Sequence, residues 1–237
     1  MQFMGLEHRT SRILEIVGPP GAGKSSLLSA LVGCRPGLRP IREWRQLRFL
    51  PSFAGNAVGL LPFFVAQWTA RQPLSRRDME RMVRLQASRR ITQRMREQVV
   101  VLDQGPIYTL GTLHLSASRP TENDRFEIWW NRTAQQWARV IDTVVVLEAR
   151  DDVLLRRIMD RSKPHRLKSG TDANGSEWLE NLREALEGTV ETFRAHGGVS
   201  VLRFDTGKED LPGIVDRVGA ELDRGPGRRG PDVTCRP

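Results

Sequence analysis

The stretch Gly18-Pro19-Pro20-Gly21-Ala22-Gly23-Lys24-Ser25 decides how this chain is read. It satisfies the pattern G-x-x-x-x-G-K-[ST] at every fixed position. A short run, Ile13-Leu14-Glu15-Ile16-Val17, precedes it and has the length and the β-branched content of a buried strand. Residues 25–32 follow as a helix expected to stop at Gly33. Strand, glycine loop and helix is the order that phosphate binding requires. The glycines let backbone N–H groups turn inward with no Cβ in the way, and the helix N-terminus adds partial positive charge. In such a loop Gly18, Pro19, Pro20, Gly21, Ala22, Gly23, Lys24, Ser25 and Ser26 cradle nucleotide phosphates. Lys24 reaches the β- and γ-phosphates, and Ser25 holds Mg²⁺.

Working outward, four more strand-like runs alternate with helix-like ones. The strands are expected over 38–42, 99–103, 143–147 and 199–204, and the helices over 75–98, 121–140, 151–162, 176–196 and 211–223. Val99-Val100-Val101-Leu102-Asp103 ends four apolar residues with an acid. A carboxylate closing a buried strand needs a partner. After a phosphate loop, that partner is Mg²⁺, held directly or through water. Glu43 falls just past the short strand at 38–42, at the edge where open parallel sheets bind ligands. It is a candidate general base, and its competing reading is a surface carboxylate paired with Arg42 or Arg45.

The helix over 75–98 has Ser75 and Asp78 placed as a cap. One face is apolar; the other carries Arg76, Arg77, Arg81, Arg84, Arg89, Arg90, Arg94 and Arg96. Most of these arginines are expected in solvent, with one or two reaching a site. Phe126, Ile128, Trp129, Trp130 and Trp137 form an aromatic-rich set that reads as core. The only tyrosine, Tyr108, reads as core as well. Arg156, Arg157 and Arg161 end the helix over 151–162, and a basic, glycine-containing loop follows over 163–175. Residues 225–237 have nothing to bury and are expected to be disordered.

A chain of 237 residues, 39% apolar, suffices for one α/β domain over 1–224. Its net charge of +9 and pI of about 10.8 favour anionic partners or a solvated arginine-rich surface. Cys34 and Cys235 have no metal-ligand spacing, so a reduced, cytoplasmic protein is expected. The apolar stretch 57–66 is short and interrupted by Pro62, so no membrane span is expected.

Alternating strands and helices around the phosphate loop give the fold class: a three-layer P-loop NTPase fold with a five-stranded, mostly parallel sheet and an arginine-rich lid over 156–176. Phosphoryl transfer needs positive charge on the equatorial oxygens and exclusion of water, and arginines on a closing segment provide both. Three further stretches carry a resemblance to the P-loop small-molecule kinases, closest to the deoxynucleoside kinase and thymidylate kinase group. Ile41-Arg42-Glu43-Trp44 is similar to the group's short Glu-containing segment after the second strand. Leu102-Asp103-Gln104-Gly105-Pro106-Ile107-Tyr108 resembles its acid-Arg motif, with Gln104 where the group has arginine. Leu155-Arg156-Arg157-Ile158-Met159-Asp160-Arg161 resembles its lid helix.

The resemblance implies Glu43 as base and Arg157 and Arg161 as transition-state cations. Together with the loop it implies an ATP- and Mg²⁺-dependent kinase acting on a nucleoside, a nucleotide or a nucleoside-like metabolite. A homodimer is compatible with it. The rival readings are a nucleic-acid-binding NTPase or polynucleotide kinase, suggested by the charge, and a nucleotide-binding module without turnover.

Overall fold

A computed structural model describes residues 11–42, 58, 60–65, 74–93, 95, 98–117, 124–161 and 175–224. Its order is β1 (Arg12–Val17), α1 (Lys24–Cys34), β2 (Leu38–Arg42), α2 (Arg76–Thr92), β3 (Val99–Asp103), α3 (Pro106–Ala117), α4 (Asp124–Ala138), β4 (Thr143–Glu148), α5 (Asp151–Met159), α6 (Gly175–Gly197), β5 (Ser200–Asp205) and α7 (Leu211–Asp223). The five strands pair in the order β2-β3-β1-β4-β5, and every pairing is parallel. The sheet expected to be mostly parallel is therefore wholly so. All five carboxyl ends meet at one edge, where Ile16 and Arg42 flank Asp103 in register.

Alternate residues of the strands feed two cores, which is why these runs are apolar on both faces. Ile13, Val100, Leu102, Val144 and Val146 pack beneath α3, α4 and α6, against Ile107, Leu110, Trp130, Trp137, Leu182 and Phe193. Leu14, Ile16, Val101, Val145 and Leu147 face the other way, onto Leu27, Leu28 and Leu31 of α1 and Ile214 and Val218 of α7. The aromatic set of α4 is core as expected, apart from Ile128. It lies off the buried stripe of Phe126, Trp129, Trp130 and Trp137 and is exposed.

Several boundaries differ from the sequence reading. α1 runs through Gly33 to Cys34, and the left-handed turn falls on Gly37 (φ 95°) instead. Gly33 keeps helical backbone because nothing crowds it and the chain reverses only four residues later. α2 stops at Thr92, six residues short of its expected end, while its cap holds: Ser75 Oγ accepts from Asp78 N at 3.1 Å. α6 takes in residues 175 and 176 from the expected lid range. Residues 162–174 of that range and the tail 225–237 lie outside the described residues.

Glu15 is the exception within β1. It shares a face with Ile13 and Val17, is fully buried, and its two carboxylate oxygens accept from the backbone N–H groups of Ile107 and Tyr108, both at 3.0 Å. Those N–H groups belong to the first turn of α3 and have no partner within the helix. Glu15 thus caps α3 from a neighbouring strand and fixes where the turn after Asp103 sits. Gly105 is required there, because a Cβ would lie 2.8 Å from the Glu15 carboxyl carbon.

Burial raises the Glu15 pKa from 4.5 to about 8, against the three backbone N–H groups that favour its ionised form. Between those pH values the folded chain holds a proton that the unfolded chain has lost, so stability falls as pH rises from 4.5 to about 8. Thermal melts across that window should show a steeper fall for the native chain than for Glu15→Gln, which cannot ionise. Parallel slopes would remove Glu15 as the source.

Candidate active site

The glycine loop closes on itself around an ammonium. Gly18, Gly21 and Gly23 have φ of 149°, 89° and 87°, a region that side chains rarely adopt. At Gly18 the constraint is doubled, since a Cβ would collide with the Leu147 carbonyl of β4. The loop then delivers Lys24 to the first turn of α1, with Nζ donating to the carbonyls of Gly18 at 2.7 Å and Pro19 at 2.8 Å. Lys24 is buried, and desolvation lowers its pKa from 10.5 to about 8. Asp103 opposes that shift and Arg161 reinforces it, so both charges act at the loop. Ser25 and Ser26 are exposed at the start of α1.

Asp103 stands at the end of β3, half-buried. The next residue, Gln104, is the only described non-glycine with positive φ (56°). Such a conformation costs on the order of 1–3 kcal/mol and is tolerated where surrounding contacts impose it. Here the Glu15 cap and the start of α3 do so.

Arg157 is placed by three contacts. Nη1 donates to Thr206 Oγ1 at 2.9 Å and, at the longer distance of 3.4 Å, to the Gly21 carbonyl, while Nη2 donates to the Thr206 carbonyl at 2.8 Å. Thr206 is anchored in turn, donating from N and Oγ1 to the Glu148 carbonyl. The guanidinium therefore bridges the glycine loop and the turn after β5. Arg161, one helical turn on, is exposed. Both line a cavity of about 540 Å³ with Gly23, Leu27, Leu211 and Ile214.

A second cavity, of about 720 Å³, opens beside the turn after Asp103. Asp103, Gln104 and Tyr108 form one wall and the arginine face of α2 the other. Tyr108, expected in the core, is half-buried there, its ring centroid 5.7 Å from Lys24 Nζ.

The structure thus brings together Lys24, Asp103, Arg157 and Arg161 around the loop; Glu43 lies outside the described residues. Sequence reasoning missed Glu15 and Thr206; of the α2 arginines it expected one or two to reach a site, and four line the cavity. Only Glu15 left a signal, as the one charge inside an apolar strand. The Mg²⁺ reading fits the donors present. No cluster of three or more His, Cys, Asp or Glu occurs among the described residues, and one hydroxyl with one carboxylate is what a cation keeping water and phosphate ligands needs.

No protein-family model matches the sequence, and no curated protein matches it. Solved structures do. Deoxyadenosine kinase from M. mycoides with bound dATP aligns at a TM-score of 0.55 and 16% identity, over 89% of this chain and 98% of that one. The same enzyme with products dCMP and a flexible dCDP aligns at 0.52 and 16%, and with bound dCTP at 0.51 and 15%; each again covers 89% of this chain, with 97% and 98% of the other. At this identity the likeness is one of fold: this chain has the P-loop deoxynucleoside kinase fold.

Proposed function

We propose that this protein is an ATP- and Mg²⁺-dependent kinase that transfers the γ-phosphoryl group to a small acceptor of the nucleoside, nucleotide or nucleoside-like class. The observation that carries the reading is Lys24. It is a buried ammonium bonded to two carbonyls of the glycine loop and within the field of Asp103, and that loop and Asp103 each line a cavity.

The loop from Gly18 to Ser26 holds the donor phosphates, and the smaller cavity beside Leu211 and Ile214 takes the rest of the donor. Ser25 and Asp103 hold Mg²⁺, which neutralises charge on the phosphates. In this reading Lys24 exchanges the Gly18 and Pro19 carbonyls for the β- and γ-phosphates, and the new charge-assisted bonds offset the two it gives up. Arg157 and Arg161 supply the remaining positive charge, and 163–175 is the segment that excludes water. The acceptor enters the larger cavity, and Glu43 is the proposed base for the proton of an attacking hydroxyl. The likeness in fold to deoxyadenosine kinases supports the acceptor class.

The direct test is ATP consumption across a panel of nucleosides, nucleotides, aminoglycosides and sugars, with mass detection of the phosphorylated product. Lys24→Ala should lose roughly 10²–10³-fold or more in turnover while melting near the native temperature; near-native turnover would sink the proposal. Phosphates also restore the charge that burial removes from Lys24. Calorimetry above about pH 8, in buffers of differing ionisation enthalpy, should therefore show proton uptake on ATP binding to the native chain and none for Lys24→Ala. Glu43→Gln should lower turnover on a hydroxyl acceptor by roughly 10²–10⁴-fold with ATP affinity unchanged. An unaltered rate would reassign the base.

A further inference from the structure

The larger cavity is lined by four guanidinium groups, of Arg76, Arg77, Arg81 and Arg84, against two carboxylates, of Glu80 and Asp103. From this we infer that the acceptor already carries a phosphate group, and that Arg77, Arg81 and Arg84 are the residues that recognise it. This rests on the kinase reading above only for the word acceptor; the anion site stands on the cavity itself.

Spacing makes the wall. Positions 77, 81 and 84 lie four and three apart, so one face of α2 carries all three into the cavity. Guanidinium is a donor-only group with a rigid fork that matches phosphate oxygens. A neutral nucleoside asks for mixed donors and acceptors, and this wall offers mostly donors. The existing ion pairs leave the arginines available. Arg84 and Arg76 share Glu80 at 3.7 and 3.6 Å, and Arg81 meets Asp78 at 3.1 Å. Arg77 makes no ion pair among the described residues. The Glu80 pairs are long and partly exposed, hence weak and salt-screened, so a dianion can displace them. Asp78 is buried, and Arg81 keeps it as a partner while the remaining donors of Arg81 serve the anion.

Arg81 connects this wall to the chemistry. Both Arg81 and Tyr108 line the cavity, and the Tyr108 ring centroid lies 5.7 Å from Lys24 Nζ. A volume of about 720 Å³ suits one ligand of nucleotide size better than an extended strand.

The test uses the full-length chain. Each of the four 2′-deoxynucleoside 5′-monophosphates is paired with its parent nucleoside. Binding is measured by calorimetry at low and high salt, and turnover with ATP and Mg²⁺ by mass. At least one monophosphate should bind about tenfold or more tightly than its parent and gain one phosphoryl group, an oxygen of the monophosphate bonding to the γ-phosphorus as the bond from that phosphorus to the bridging oxygen breaks and ADP leaves. Arg81→Gln and Arg84→Gln should each erase most of that preference, and Arg81→Lys should restore part of it. Unchanged melting and ATP binding in these variants keep the comparison free of folding defects. Parent nucleosides that bind as tightly, or turn over with the higher kcat/KM, would overturn the inference while leaving the kinase reading intact. Arginine-dependent monophosphate binding with no transfer to any acceptor would support the anion site and remove the kinase reading. Tighter binding of a 5′-phosphorylated oligonucleotide than of any mononucleotide would overturn the small-molecule assignment.

Discussion

A buried ammonium cannot be left without acceptors, and much of this structure follows from that constraint on Lys24. Its charge needs oxygen atoms on more than one side, and no side chain of the loop supplies them. The carbonyls of Gly18 and Pro19 do. They turn inward only because Gly18, Gly21 and Gly23 adopt positive φ. Gly18 also passes too close to Leu147 for any side chain to fit. The loop is thus wedged between its own lysine and strand β4, and its shape is set before any ligand arrives. Asp103, at the end of the adjacent strand, completes the balance of charge.

A buried carboxyl sets the other half of the site. Glu15 holds the first turn of α3, so the segment from Asp103 through Gln104 to Tyr108 has one position available to it. Asp103 cannot drift from Lys24 without breaking that cap. The two faces of β1 therefore divide the work: one packs α1 and α7 behind the glycine loop, and the other packs and caps α3 beneath the larger cavity.

Charge is distributed unevenly around this frame. On the side of the smaller cavity, Arg157 is tied into place by Thr206 and Gly21, so its position is fixed by two backbone carbonyls and a threonine hydroxyl. On the side of the larger cavity, Arg76 and Arg84 are tied only to Glu80 of their own helix, through long contacts that water and salt weaken. A fixed cation suits a role common to every donor nucleotide. Loosely paired cations suit a ligand that brings its own anion.

The glycine loop, its flanking strand and helix, the acid closing β3 and the alternation of strands with helices were all legible in the sequence, because each is a local pattern: residue type at fixed spacing sets backbone conformation. The charged helix was legible too, but how many of its arginines face a cavity was not. The same arginines can face solvent or a cavity, and only the packing of α2 against α3 decided which. Glu15 was visible as an anomaly, yet its role depends on Ile107 and Tyr108, more than ninety residues away. Thr206 left no signal at all, since a threonine at a strand end becomes a tether only when β5 is laid beside β4. Contacts between distant parts of the chain are set by how the helices close over the sheet, and no spacing within one segment encodes them.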